Sequence, residues 1–365
     1  MSFLLSIETA NPKYCHLQSE VLDFYINAID TKDQLVARKI KVIAAKSGIK
    51  KRYSVLKDFS LKPSAFTFFP QNKSLEPIPT LSQRMECYQQ NALALSLDAV
   101  NKIKDFKKIK SKITHIITVT CTGLFAPGLD LELIDALKLK PTTNRSSINF
   151  MGCNAAILAL KQADQICNSQ KNALVLVVCV ELCTLHFQKK FTDDYILSNL
   201  LFSDGAAAAL IGSKNESVDE KFSPYKMTSF KSIIINEGKK DMAWKVSETG
   251  FIMNLTSHVS ELLNRYLPDF LGSDLLAKKE NMHWAVHPGG RKIIDDFCKT
   301  LDIDKTQLKH SYNTLENFGN MSSPTILFVL KSIIETEKSK KNIFAAAFGP
   351  GLSIETVLLK PSTNR

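Results

Sequence analysis

Short apolar runs alternate with longer helical patterns along nearly the whole chain, and this alternation confines it to an α/β fold built on central sheets. The runs at 113–120, 173–180, 206–211, 233–236, 282–286 and 343–348 are rich in β-branched residues, as buried strands are. Helical spacing fills 83–103, 155–167, 258–267, 291–301 and 323–337. The opening MSFLLSIE reads as a first strand and 353–359 as a last one. A polar stretch at 213–225, SKNESVDEKFSPY, has no apolar period and contains Pro224. It is the expected link between an N-terminal half, 1–225, and a C-terminal half, 226–365. A length of 365 residues suits one large domain or two fused halves.

Composition removes several classes of function. No run of about eighteen apolar residues occurs, so no transmembrane helix is expected. The opening lacks the basic n-region of a signal peptide, and a soluble cytoplasmic protein is expected. The formal charge of +11 comes mainly from scattered lysines. The one dense run, 104–112, has apolar residues at helical spacing and reads as a solvated helix face. A nucleic-acid binder would gather such charge with aromatics in a patch; general basicity suits a polyanionic small molecule instead. The eight cysteines show no Cys-x-x-Cys pair and no zinc-ligand spacing, so neither a metal, nor another cofactor, nor a disulfide framework is expected.

Chemistry enters at 146–160, SSINFMGCNAAILAL. An extended run meets Gly152, then Cys153, then a helix starting near Ala155. A cysteine there feels the positive end of the helix dipole, which favours the nucleophilic thiolate. The same residue could equally be a small filler at a strand–helix junction. His287 ends a strand in HWAVHPGG (283–290), where a structural histidine is also common. Asn320 follows a glycine in FGNMSSP (318–324), where it could be a turn or cap residue. Together, a cysteine, a histidine and an asparagine at element ends suit acyl transfer, in which a thiolate attacks and neutral donors hold the oxyanion.

The segments that carry these residues resemble the chalcone-synthase-type, or type III, polyketide synthases, closer to the bacterial branch than to the plant enzymes. The likeness runs through IKKRY (49–53), CTGLFAPGLD (121–130), MGCNA (151–155), LFSDGAA (201–207), VHPGG (286–290), GNMSS (319–323) and FGPGL (348–352). It implies a thiolase-like αβαβα layered fold of two pseudo-duplicated halves, working as a homodimer on acyl-CoA and malonyl-CoA. It implies Cys153 as the acyl-carrying nucleophile, with His287 and Asn320 binding the thioester oxygen and the enolate left by decarboxylation. Phe202 matches a gatekeeper phenylalanine, and Phe348, Gly349, Pro350 and Gly351 match a loop shaping the cyclisation pocket. Lys50, Lys51 and Arg52, with Gly289 and Gly290, match segments that contact coenzyme A.

Departures from the plant enzymes bear on product. Met253 stands where they have a second gatekeeper phenylalanine and Trp244 near a glycine. Cys121, Cys183 and His186 stand near threonines. The resemblance thus implies iterative condensation of malonyl-CoA onto an acyl starter, fatty acyl or acetyl, with closure to a resorcinol, pyrone or phloroglucinol. The alternatives are a β-ketoacyl carrier-protein synthase of the initiating kind and a non-catalytic binding protein on the same fold.

Overall fold

A computed structural model describes residues 1–29, 33–214, 224–256 and 258–362. In the first half, strands β1 (Ser2–Ala10), β2 (Tyr14–Leu17), β3 (Lys51–Ser54), β4 (His115–Thr120), β5 (Asn144–Asn149), β6 (Leu174–Leu182) and β7 (Asp204–Gly212) are interleaved with helices. These are α1 (Gln18–Ile29), α2 (Gln34–Lys46), α3 (Leu81–Asn101), α4 (Phe106–Ile109), α5 (Leu129–Leu137), α6 (Ala155–Ser169) and α7 (Asp193–Leu201). The second half holds β8 (Tyr225–Ile234), β9 (Met242–Ser247), β10 (Gly250–Leu255), β11 (Met282–Val286), β12 (Asn342–Gly349) and β13 (Ser353–Pro361). Its helices are α8 (His258–Leu271), α9 (Ser273–Leu276), α10 (Arg291–Leu301), α11 (Lys309–Phe318) and α12 (Thr325–Thr336).

The main sheet runs β5-β4-β6-β7-β1-β8-β13-β12-β11. On one side of its middle, β5, β4 and β6 are parallel while β7 and β1 are antiparallel. On the other side, β11 and β12 are parallel while β13 and β8 are antiparallel. The second path repeats the first, without a counterpart of β5. The two halves of the sheet meet at one short ladder, Ser2–Leu4 of β1 against Tyr225–Met227 of β8.

Side-chain alternation then builds five layers. Val175, Val177 and Cys179 of β6, with Ile343, Ala345 and Ala347 of β12, pack on the central helices α6 and α12. The opposite faces turn outward: Leu176 and Val178 toward α3, and Phe344 and Ala346 toward α8 and α10. This is the αβαβα arrangement. Strands buried on both faces read as continuous apolar runs, which is why β4, β6, β7 and β12 are plain in the sequence. The end of β11's outer edge is held by α11: the Val286 N–H donates to Ser311 Oγ and that hydroxyl donates back to the Val286 carbonyl.

Some expectations change. The 104–112 run is not one helix: Asp105 adopts a left-handed φ of +55°, and only the short α4 follows, anchored by buried Phe106. The strand expected at 233–236 is the tail of the longer β8, whose Lys, Ser and Thr residues hid its period. Of the expected link at 213–225, residues 215–223 lie outside the described residues, and Tyr225 already belongs to β8. No helix among the described residues is long and apolar enough to cross a membrane.

Candidate active site

The turn from β5 into α6 is tight. Phe150 and Gly152 both have positive φ, at +59° and +85°. A Cβ on Gly152 would lie 2.0 Å from Cδ of Pro350, so the 348–351 loop stands directly against the turn and only glycine fits. Cys153 follows, one residue before the Asn154 cap of α6, and is buried. Its thiol donates to Ser322 Oγ at 3.5 Å. Burial nevertheless pushes the thiol up to about 11; Ser322 and Asn320 pull it down, and the charge of Glu181 adds to the rise. Desolvation thus opposes the thiolate that the helix terminus favours.

Asn320 is placed by backbone pairing with Phe202. Its N–H donates to the Leu201 carbonyl at 3.0 Å, and the Ser203 N–H donates to its own carbonyl at 2.9 Å. Its amide oxygen accepts from the Ser322 N–H at 2.8 Å. His287 leaves the end of β11, with its N–H on the Ala346 carbonyl at 2.8 Å. The ring is buried, both its nitrogens lack a partner, and burial pulls it down to about 3. No hydrogen bond joins His287 to Cys153 among the described residues.

A narrow cavity opens over the thiol. Of the residues named from the sequence, Cys121, Cys153, Cys183, Phe202, Trp244, Met253 and Pro350 line it, with Ser322 beside them. Four of these, Cys183, Phe202, Trp244 and Met253, also wall a second narrow cavity, which adds His186 and Arg52. Trp244 and Met253 face each other across the β9–β10 hairpin. The Trp244 indole donates to the Cys121 carbonyl at 2.9 Å. His186 stacks on Phe251 at 4.2 Å, donates through Nε2 to the Thr122 carbonyl at 2.8 Å and accepts the Phe251 N–H at 3.0 Å. Gly152 also receives help from this wall, its N–H reaching Cys121 Sγ at 3.0 Å.

Glu181 was not singled out from the sequence. It ends β6, fully buried, and accepts from the Cys121 N–H, Thr122 Oγ1 and Ser323 Oγ at 2.8, 2.7 and 2.6 Å. Burial pushes it up to about 7 against those three bonds. Its signal was a lone carboxylate closing an apolar strand, LVLVVCVEL.

Comparison with known proteins fits this arrangement. Residues 1–215 match the N-terminal domain of the chalcone and stilbene synthases, and 226–363 match the C-terminal domain. The chain belongs to the chalcone and stilbene synthase family. Its fold superposes on the C-terminal type III polyketide synthase domain of Steely1, a type I/III hybrid from Dictyostelium, with a TM-score of 0.89 and 26% identity over 99% of both chains. It is also similar to PKS-I of the brown alga Ectocarpus siliculosus, at a TM-score of 0.87 and 23% identity over 99% of this chain and 98% of that one. A type III pentaketide synthase from Neurospora crassa gives 0.83 and 21% over 99% of this chain and 100% of that one. At the last two identities the likeness speaks for the fold alone.

Within this family member, the remaining expected residues divide. Gly48 packs on the Arg291 side chain, whose Cδ would lie 3.1 Å from a Cβ at that glycine, which brings the 48–51 segment beside Gly289 and Gly290. Lys50 is exposed and pairs with Glu316 at 2.5 Å, and Lys51 is half-buried on β3. Arg52 is a correction. It is 3% exposed, and its Nη1 donates to the carbonyls of Asn199 and Phe202, so it is no surface cation for a phosphate. Phe348 is buried in the outer core cluster of the second half, which also holds Cys153, Phe202 and Met253. Gly349 packs on Asn154, and Gly351 donates its N–H to the Met242 carbonyl at 2.9 Å; neither lines the chamber, and Pro350 alone of that loop does.

Proposed function

We propose that this type III polyketide synthase loads an acyl group from coenzyme A onto Cys153 and extends it there with malonyl-CoA. The observation that carries the reading is the Cys153 thiol at the wall of a mostly apolar chamber, bonded to Ser322, whose own N–H is held by the Asn320 amide oxygen. The Cys153 thiol gives up its proton as its sulfur attacks the thioester carbonyl. His287, with both nitrogens unpartnered, is its acceptor. The tetrahedral oxyanion collapses, the thiol of coenzyme A departs with the proton, and an acyl thioester remains on Cys153. Malonyl-CoA then loses carbon dioxide, and the electron pair moves onto its thioester oxygen as an enolate. The Asn320 amide and a His287 N–H hold that charge, which a dry site makes effective. The enolate carbon attacks the Cys153 thioester, and the cysteine sulfur leaves and regains a proton. The lengthened chain, now a coenzyme A thioester, is passed back to Cys153 for each further round before ring closure to a resorcinol, pyrone or phloroglucinol.

The second cavity supports a fatty acyl or growing chain as its occupant, since it continues the chamber beyond the Phe202, Trp244 and Met253 wall. Those departures from the plant enzymes support a bacterial-type assignment. The repeated strand path supports division at 225/226 into a cysteine-bearing and a histidine- and asparagine-bearing half. Adjacent Lys50, Lys51, Gly289 and Gly290 support a mouth for coenzyme A, and free cysteines support a cytoplasmic setting. Homodimer formation is supported by β5, whose outer edge is open, and by exposed Leu124 and Met151 near it.

The test is a mass-spectrometric product profile of the purified enzyme with malonyl-CoA and a panel of acyl-CoA starters. Polyketide products from malonyl-CoA are expected; turnover only with malonyl-carrier protein would favour the carrier-protein synthase. His287→Ala and Asn320→Ala should each slow carbon dioxide release, and unchanged release in both would overturn their roles.

A further inference from the structure

Arg52 lies away from the phosphate-binding place its sequence neighbours suggested, and its surroundings give it another task. Its Nη1 donates to the Asn199 carbonyl at 2.9 Å and to the Phe202 carbonyl at 2.6 Å, at the C-terminal end of α7. A cation there answers the orphan carbonyls and the negative end of the helix. Phe202 carries the ring between the two cavities, and its backbone is bridged to Asn320. Gly319, the residue before Asn320, lies on the Arg52 stem: a Cβ there would be 2.9 Å from Cγ, and φ is +70°. One side chain thus grips both members of the bridge, Phe202 through its carbonyl and the Asn320 loop through packing.

We propose that Arg52 is a positioning residue that fixes the Phe202 ring relative to the Asn320 amide. This rests on the reading of Cys153 and Asn320 above. Decarboxylation needs a donor for the enolate oxygen and a dry surface. Condensation needs, in addition, the enolate carbon held about 3–3.5 Å from the Cys153 thioester carbon, and small misplacement there is costly. Loosening the bridge therefore harms carbon–carbon bond formation more than carbon dioxide loss.

The experiment measures carbon dioxide release, product formation and KM for malonyl-CoA in the wild type, Arg52→Lys and Arg52→Met. For both variants, kcat for product should fall on the order of tenfold or more, with more carbon dioxide released per product. KM should stay within about twofold, since coenzyme A binding is untouched. Gly319→Ala presses on the Arg52 stem from the opposite side and should shift the same ratio, which serves if Arg52→Met does not fold. A raised KM at unchanged kcat would return Arg52 to a phosphate contact and overturn the proposal. An unchanged ratio of carbon dioxide to product, whatever the melting temperature, would overturn it too. An inactive wild type would overturn the functional reading and this proposal together; an active wild type with unchanged variants overturns this proposal alone.

Discussion

Cys153 and Glu181 share a low-dielectric pocket, and burial works on both in the same direction, against the charged form. For the thiol, at about 11, the thiolate fraction rises about tenfold per pH unit across the neutral range. Alkylation of Cys153 by iodoacetamide should follow that slope from pH 7 to 9, and a plateau below pH 8 would show a thiolate at rest. For Glu181, the folded value of about 7 stands above the ordinary 4.5, so the native state keeps a proton that the unfolded chain has released. Its contribution to stability is complete below the unfolded value and declines as pH rises through 7, by about 3 kcal/mol in all. Glu181→Gln should flatten the fall in melting temperature between pH 5 and 8; an unaltered profile would place the titration elsewhere. The position of Cys153 was legible because a glycine, a cysteine and a helix start are neighbours in the chain. Glu181 was not, because its partners Cys121, Thr122 and Ser323 come from segments far apart in sequence. The burial that opposes the thiolate was not legible for a related reason: its depth is a property of the packed chain.

The β9–β10 hairpin shapes both cavities, yet its strands do not stand out in the sequence. Its residues, MAWKVS and GFIMNL, mix polar and apolar positions because the hairpin lies off the main sheet. Once Trp244 is tied to the Cys121 carbonyl, its ring and Met253 opposite divide the space into two. Trp244→Ala should merge the cavities and lengthen the products, and Met253→Phe should shorten them or favour smaller starters, as read by mass spectrometry. Product profiles indifferent to both would mean that this wall does not limit the chain. The turn before α6 is constrained in another way. Gly152→Ala places a methyl against Pro350 at a positive φ, which should cost about 1–3 kcal/mol and abolish condensation. Calorimetry alongside the activity assay checks both effects. The strands of the central sheets were legible within a few residues because both their faces are buried; β8 was cut short because one of its faces is polar.

At the scale of the whole chain, the duplication is visible in the strand path rather than in residue identities, so no internal repeat could be read from the sequence. It places Cys153 before α6 and Asn320 before α12, two helices that occupy matching positions between the sheets. In the proposed site the cysteine thus comes from one half and the asparagine from the related position of the other. The proposed dimer should appear at micromolar concentration by sedimentation equilibrium. Leu124→Asp with Met151→Asp should shift it to monomer, and a wild-type monomer would overturn it.

The missing counterpart of β5 has a further consequence for assembly. At the other end of the sheet, Ser311 holds the last residue of β11 by both its N–H and its carbonyl. Pairing through β5 brings the same edge of each copy against itself. Two copies joined that way exhaust each other's β5 edge, and concentration yields a closed pair where a head-to-tail contact would polymerise.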